Sequence, residues 1–300
     1  MTAIATEAAP LAAPAAGGFR RFARRNPTIV VGGALLCLMV VVALAAPWIT
    51  GDPFAVAPVN RLRPPDLADF FAPGKTDRFG TDHLGRDVFA RTVHGARVSL
   101  IVGIAVAFLS TSAGLVIGLA AGYFRAVDAV IMRVMDALMS IPAILLAIAL
   151  VALTRGGVGI VVFAITVPEI PRVVRLVRAV VLTVRERPFI DAAVSVGSRP
   201  RKVILRHILP NTIAPLIVQA TYICASAILT ESGLSFLGAG VPPEIPTWGN
   251  MIAQSRLFLS RAPWTIFFPG ACLAIVVLAI NLLGDGLRDR LDPRLARRMR

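Results

Sequence analysis

The chain has 300 residues, 56% of them hydrophobic and only 16% charged, where soluble domains carry about a quarter. Mean hydropathy is +0.76, and several apolar runs reach the ~18 residues needed to cross a bilayer core, which excludes a soluble globule and the short alternating segments of a β-barrel. The formal charge of +14 rests on arginine, with Lys75 and Lys202 the only lysines; in a chain this apolar it reads as the cytoplasmic cation excess of membrane proteins, not as a nucleic-acid surface.

Residues 1–18, rich in Ala, Pro and Gly, have the composition of a disordered tail. A basic stretch, FRRFARRN, precedes an apolar run from Ile29 to Ile49 that ends in ALAAPW. An A-x-A site at Ala43–Ala45 suggests a signal peptide, but the run is too long for one, and the expectation is an uncleaved first span. Further spans are expected at about 97–122, 130–153, 157–170, 212–230 and 265–284, six in all. The fourth is short, and Pro168 and Pro171 should bend it. With both termini inside, 21 of the 31 Lys and Arg fall on the cytoplasmic side and 10 outside, as the positive-inside rule requires.

Between spans one and two, the segment 76–96 (with FGTDHLGRDVFARTVHG inside it) is expected to form an amphipathic element on the outer face. Thr81 or Asp82 would cap it, with Phe89, Val93 and Arg97 on one side. Span two is crowded with small residues, and Gly114 and Gly118 make a GxxxG pair that favours close helix packing without naming a partner. Span three carries Arg133 and Asp136, three residues apart. They read either as an intrahelical ion pair near the inner surface, the expected outcome, or as a relay site. Glu231, at the end of span five, could stand at the outer end of a pathway or be an interfacial carboxylate with no task.

The chemistry of an enzyme is missing from the sequence. Gly74-Lys75-Thr76 is the only approach to an ATP-binding P-loop, but residue 69 is aspartate where its first glycine belongs. His83, His94 and His207 are far apart, the three cysteines share no metal-like spacing, and neither G-x-S-x-G nor HExxH occurs.

The longest cytoplasmic loop runs from Arg172 to Pro210. Arg172, Arg175 and Arg178 are expected on a helix that continues span four into the cytoplasm, and Pro188 opens a second, short helix. Phe189, Ala192, Ala193 and Val196 share one face of it, and Gly197 is placed to end it in a left-handed turn. A helix this short needs support from its flanks. Its apolar face suits either a groove on a partner or, aided by Arg199, Arg201 and Lys202, the lipid headgroups.

The stretch DAAVSVGSRPRKVILRHILP, residues 191–210, resembles the EAA loop of ABC importer permeases: E-A-A, three residues, G, nine residues, I, one residue, L-P. Asp191, Ala192, Ala193, Gly197, Leu209 and Pro210 are in register. Asp191 replaces the family's glutamate, and His207 its isoleucine. Two further stretches, 79–103 (FGTDHLGRDVFARTVHGARVSLIVG) and 231–252 (ESGLSFLGAGVPPEIPTWGNMI), are similar to segments of the subfamily that imports dipeptides, oligopeptides and nickel. The resemblance implies an all-α membrane protein of six spans, a type I (MetI-like) importer core with an extra N-terminal span. It divides the chain into a tail 1–18, an N-terminal span and external loop 19–75, the external segment 76–96, a core 97–285 holding the loop 186–210, and a basic tail 286–300.

It also implies the partners: a homologous second permease, two cytoplasmic ATPases that bind the ATP and Mg2+, and an extracytoplasmic binding lipoprotein, all at the bacterial inner membrane, with no cofactor on this chain. Asp191, Ala192, Ala193, Gly197, Arg201, Leu209 and Pro210 are implied as the ATPase-docking set, and Glu231, Trp248 and Asn250 are candidates for pathway or gating. The expected substrate is a di- or oligopeptide. Nickel or another small solute is the alternative, and a self-contained carrier using Asp136 or Glu231 as an ion site is the alternative of another class.

Overall fold

The computed structural model describes residues 23–24, 26–66, 77–154 and 156–291; the expected tail 1–18, the Gly74–Thr76 turn and most of the basic tail 286–300 lie outside them. Every described element is helical apart from one isolated β-bridge, between Thr81 and Asp87. In chain order these are α1 (Pro27–Ile49), α2 (Val88–Tyr123), α3 (Arg125–Met139), α4 (Ala143–Ala152), α5 (Val158–Arg185), α6 (Pro188–Ser195) and α7 (Pro200–Val203). A π-helical turn, Ile204–Ile208, then leads into α8 (Leu209–Phe236), followed by α9 (Trp248–Ser255) and α10 (Trp264–Leu291).

Lipid offers backbone groups no hydrogen bonds, so a spanning segment must satisfy them internally as a helix. α1, α2, α10 and the continuous helix Pro200–Phe236 are each long and apolar enough to cross a membrane, and α3 with α4, bent by 85° at their break, qualify as one further span. That makes four or, with the bent pair, five such spans among the described residues. α5, at the expected fourth span, extends about 42 Å over its 28 residues but carries Glu169 and four arginines and is not apolar enough to count with them.

The bundle is built on the contact between α2 and α5. Gly114, Gly118 and Gly122 lie against Val173, Val177 and Val181. A Cβ on each glycine would stand 2.5, 2.7 and 2.6 Å from the valine Cβ. Both series advance by four, so the two helices run parallel with their backbones in close approach. This names the partner that the GxxxG pair left open. On the other side, Gly103 of α2 meets Ile228 and Cys224 of α8. α1 packs on α10, where Gly32 admits the backbone of Ala279 and Leu283; this close seat makes α1 part of the bundle.

Several expected boundaries move. α5 is one helix through both Pro168 and Pro171 to Arg185, so the expected span 157–170 and its expected helical continuation with Arg172, Arg175 and Arg178 are a single element. Span three divides into two helices. No separate amphipathic element precedes span two: α2 itself begins at Val88, capped by Asp87, whose side chain accepts from Phe89 N at 2.8 Å. Thr81 and Asp82 do other work. Asp82 accepts from Leu84 N (2.8 Å), Arg86 N (2.9 Å) and Arg86 Nε (2.6 Å), while Thr81 accepts from Arg63 N (2.9 Å) and donates to Asn60 O. Their hydrogen-bonding capacity closes the loop, so the cap falls to the next carboxylate along.

The expected Arg133–Asp136 ion pair is also corrected. The Asp136 carboxylate is taken by Arg175 of α5, at 2.6 Å, and Arg133 is exposed. Arg178 binds Asp128 in fork geometry, with two contacts of 2.6 Å. The basic stripe on α5 thus pins the amphipathic α3, and an interhelical partner wins over the local one.

Candidate functional site

The cytoplasmic loop forms a small knob between α5 and α8. Pro188 stands at the first helical position of α6, where its missing N–H costs nothing. Ile190, only 3% exposed, is the residue that fastens the knob: it joins Val184, Val203 and Ile208 in the main apolar core. The opposite side is free. Phe189, Ala192, Val194 and Val196 are exposed, Val196 by 87%, and Ala193 is half-buried. The apolar face expected from the sequence is therefore present and uncovered within the chain.

Gly197 ends α6 as expected. Its φ is +79°, and the helix closes in a paired turn, with Gly197 N donating to Val194 O (2.8 Å) and Ser198 N to Ala193 O (3.1 Å). No atom lies within 4 Å of where a Cβ would be. Asp191 is exposed beside a polar cavity of about 640 Å³ that Arg125, Asp128, Arg185 and Glu186 also line. Arg185 closes the inner end of α2 by donating to Tyr123 O at 3.0 Å. Arg201 is exposed on α7, so Arg201, Asp191, Ala192 and Gly197 all lie on the open side of the loop.

Pro210 does not end the basic segment. It stands in the first turn of α8, inside a helix that runs unbroken from Pro200 to Phe236. A proline ring in a regular helix collides with the carbonyl four residues back. The π-turn falls just ahead of it: Leu209 N donates to Ile204 O, five residues back, and the wider turn accommodates Pro210. Buried Ile208 and part-buried Ile204 join this turn to the core. The knob is thus rooted in a 37-residue helix.

At the other end of α8 the three pathway candidates come together, but in packing. Glu231 is fully buried and accepts from Ser235 Oγ at 2.8 Å. Trp248 is fully buried, and its Nε1 donates to Thr92 O at 3.0 Å. Asn250 ties down the external loop through Nδ2, which donates to the carbonyls of Val241 (3.0 Å), Pro242 (3.0 Å) and Ile245 (3.1 Å). Gly249 allows the close crossing, since a Cβ there would lie 2.6 Å from Ser232 Cα. In this conformation Glu231, Trp248 and Asn250 are buried in the packing of α8 against α9 and the loop between them. At the same end, burial pushes the Asp87 carboxyl up to about 6, against the hydrogen bonds it accepts from its own helix terminus.

One charged group escaped the sequence reading. Glu169 and Arg172 pair on α5 at 3.1 Å, with Glu169 nearly buried and the Arg172 side chain 47% exposed. The guanidinium also stands over the Tyr222 ring, 5.5 Å from its centroid. Arg172 had been placed at the start of the cytoplasmic loop. The signal lay in VPEIP: a carboxylate inside an apolar run, between two prolines, is seldom without a use.

The comparisons with known proteins agree with this architecture. Residues 114–297 match the family described as binding-protein-dependent transport system inner membrane component, and residues 16–65 match the N-terminal TM domain of oligopeptide transport permease C. A probable peptide ABC transporter permease protein of Sinorhizobium fredii is 58% identical over 278 residues, 93% of each chain. A dipeptide transport system permease protein of Alkalihalophilus pseudofirmus is 41% identical, covering 91% of this chain and 88% of that one. Among solved structures, a chain of the MetNI methionine ABC transporter in an inward-facing conformation superposes with a TM-score of 0.56 at 20% identity, over 67% of this chain and 96% of that one, a likeness of fold.

Proposed function

Since the chain belongs to the binding-protein-dependent transport system inner membrane components, we propose that it is one of two permease subunits of an ATP-driven importer of di- or oligopeptides. The observation that carries this reading is the knob: an exposed apolar face, rooted by Ile190 against a helix that continues to the far side of the bundle. An ATPase groove that receives Phe189, Ala192 and Val196 covers that face, and closure of two ATPases on ATP then swings α6 and α8 together. Asp191 and Arg201 flank the contact. A homologous second permease completes the path, an external binding protein delivers the peptide, and both termini lie in the cytoplasm of a bacterial inner membrane. ATP and Mg2+ belong to the ATPases. The curated relatives named for peptide and dipeptide transport support the substrate class.

A self-contained carrier using Asp136 or Glu231 is the weaker reading, because Arg175 occupies the first carboxylate and the second is closed into packing. The test is reconstitution in liposomes of this chain with its second permease, ATPases and binding protein. ATP-dependent accumulation of a labelled dipeptide is expected, with none from Phe189→Glu although that variant inserts normally. Substrate movement by the isolated chain under an ion gradient alone would overturn the proposal.

A further inference from the structure

The Glu169–Arg172 pair lies within the apolar layer. Val173 packs on Gly114, from which α2 runs nine further residues to Tyr123, all uncharged, before it ends, and Arg172 is one residue higher still. At 1.5 Å per residue, Arg172 is about 15 Å above the inner end of α2. Tyr222, under the guanidinium, is near the middle of the stretch from Ile208 to Thr230, which carries no charge. A charged group at this depth is costly against lipid tails and is found facing a bundle interior or a wet cavity. Glu169, on the buried side, neutralises Arg172 and fixes its direction, while the outer half of the guanidinium remains open.

Below it the surface continues as a groove. Leu176, one turn on from Arg172, heads a cavity of about 570 Å³ between α5, α8 and α10 that descends to Asp285 and Arg288. Its walls carry Gln219, Tyr222 and Asn281, and Gln219 Nε2 is buried without a hydrogen-bond partner. A lipid tail has nothing to offer that donor. A polar solute does.

Resting on the reading of the chain as a peptide permease, we propose that this groove is the cytoplasmic half of the peptide path, and that Arg172 with Gln219 forms a subsite for the peptide's terminal carboxylate. Arg172 supplies the charge and a planar donor pair suited to a carboxylate, and Gln219, which lines the groove with its Nε2 covered and unpaired, supplies a further donor once its amide turns outward. Glu169 keeps the subsite near neutral overall, so a carboxylate is drawn in but released downward, where Arg288 and the cytoplasm follow. Binding at such a step must be weak enough to leave.

The experiment uses the complete reconstituted complex and two labelled dipeptides, one with a free carboxylate and one amidated there. For each variant, uptake is divided by wild-type uptake of the same peptide, so that selection by the binding protein cancels. Arg172→Gln is expected to lower transport of the free peptide about tenfold and of the amide less than twofold. Arg172→Lys should restore part of the difference, and Gln219→Leu should lower the free peptide by about threefold. An equal fall for both peptides, or no fall for either, overturns the subsite. Failure of Arg172→Gln to assemble with the second permease overturns it too, and assigns the open guanidinium to the interface between subunits. If the wild-type complex carries neither peptide, the substrate class itself is wrong, and the failure lies with that earlier reading.

Discussion

Gly197 offers a way to separate what the knob needs for itself from what its partner needs. The residue is at φ +79°, where an L side chain is strained, yet no atom lies within 4 Å of a Cβ built there. Within this chain, Gly197→Ala therefore costs about 1–2 kcal/mol of backbone strain and no steric clash. Asn tolerates the left-handed region better than Ala, so Gly197→Asn costs less than Gly197→Ala, while Trp costs about as much as Ala. If only the turn matters, impairment follows strain, with Asn mildest. If an ATPase wall lies against the turn, impairment follows volume, in the order Ala, Asn, Trp. The assay is ATP-dependent uptake, with co-purification of the ATPases measured beside it. Volume order is expected, with Gly197→Trp losing uptake and ATPase binding together while the membrane-inserted chain unfolds within about 2 kcal/mol of wild type. Wild-type uptake by Gly197→Trp, or losses that rank by strain, refute docking at this turn.

Three further outcomes follow from the packing. Gly118→Leu drives a side chain into Val177, whose Cβ is 2.7 Å from an added Cβ, and should destabilise the bundle by about 3 kcal/mol in denaturant unfolding; Gly159→Ala, with nothing within 4 Å, should be neutral or slightly stabilising. Burial raises the Asp87 carboxyl to about 6, so the folded state holds its proton more tightly than the unfolded chain. Stability from this group is thus present at low pH and lost as pH rises through about 6, a difference of roughly 2–3 kcal/mol at neutral pH. Asp87→Asn, which keeps the cap, should raise the thermal midpoint at pH 7.5, keep about half of that advantage at pH 5 and lose nearly all of it by about pH 3.5, whereas Asp87→Ala forfeits the cap, at about 1 kcal/mol. A double-mutant cycle across Asp128 and Arg178, whose fork joins α3 to α5, should yield a coupling of about 1 kcal/mol. No coupling would mean that apolar contacts alone hold α3.

Much of the fold was legible because lipid leaves few choices. Apolar runs near 20 residues located α1 and the start of α10 to within two positions, though α10 runs seven residues past its expected end, and proline and glycine located both ends of α6. Span four was expected to continue as a helix past Pro168 and Pro171, and it does: valines against Gly114, Gly118 and Gly122 hold α5 as one helix through both. Pro210 read as an ending because propensity rules know nothing of a π-turn one step upstream. Partner choice was equally hidden: Asp136 had Arg133 three residues away, and only the third dimension brings Arg175 to it. Glu231, Trp248 and Asn250, pathway candidates from the sequence, come together in a packed lock at the end of α8, and spacing along the chain does not distinguish a lining from a lock.

That lock gives the knob its mechanical meaning. A helix transmits a displacement only if its far end works against something fixed. Pro200–Phe236 is one helix, held at its outer end where Trp248 packs with Ala225 and Ile228, Gly249 crosses Ser232, and Trp248 in turn bonds to Thr92 of α2. At its inner end the π-turn at Ile204–Ile208 is the element of poorest regularity, next to the anchored Ile190 and Ile208. A push on α6 therefore has two routes: bending at the π-turn, or rotation of α8 about its outer fastening. The apolar seats of Val203 and Ile208, both with no exposed surface, oppose the first. Truncating them, Val203→Ala with Ile208→Ala, opens a cavity at the joint worth about 3–5 kcal/mol. It should leave ATPase binding to the exposed face intact while ATP hydrolysis no longer drives uptake. Loss of binding and transport in equal measure would place the joint in the docking surface and remove the lever from the mechanism.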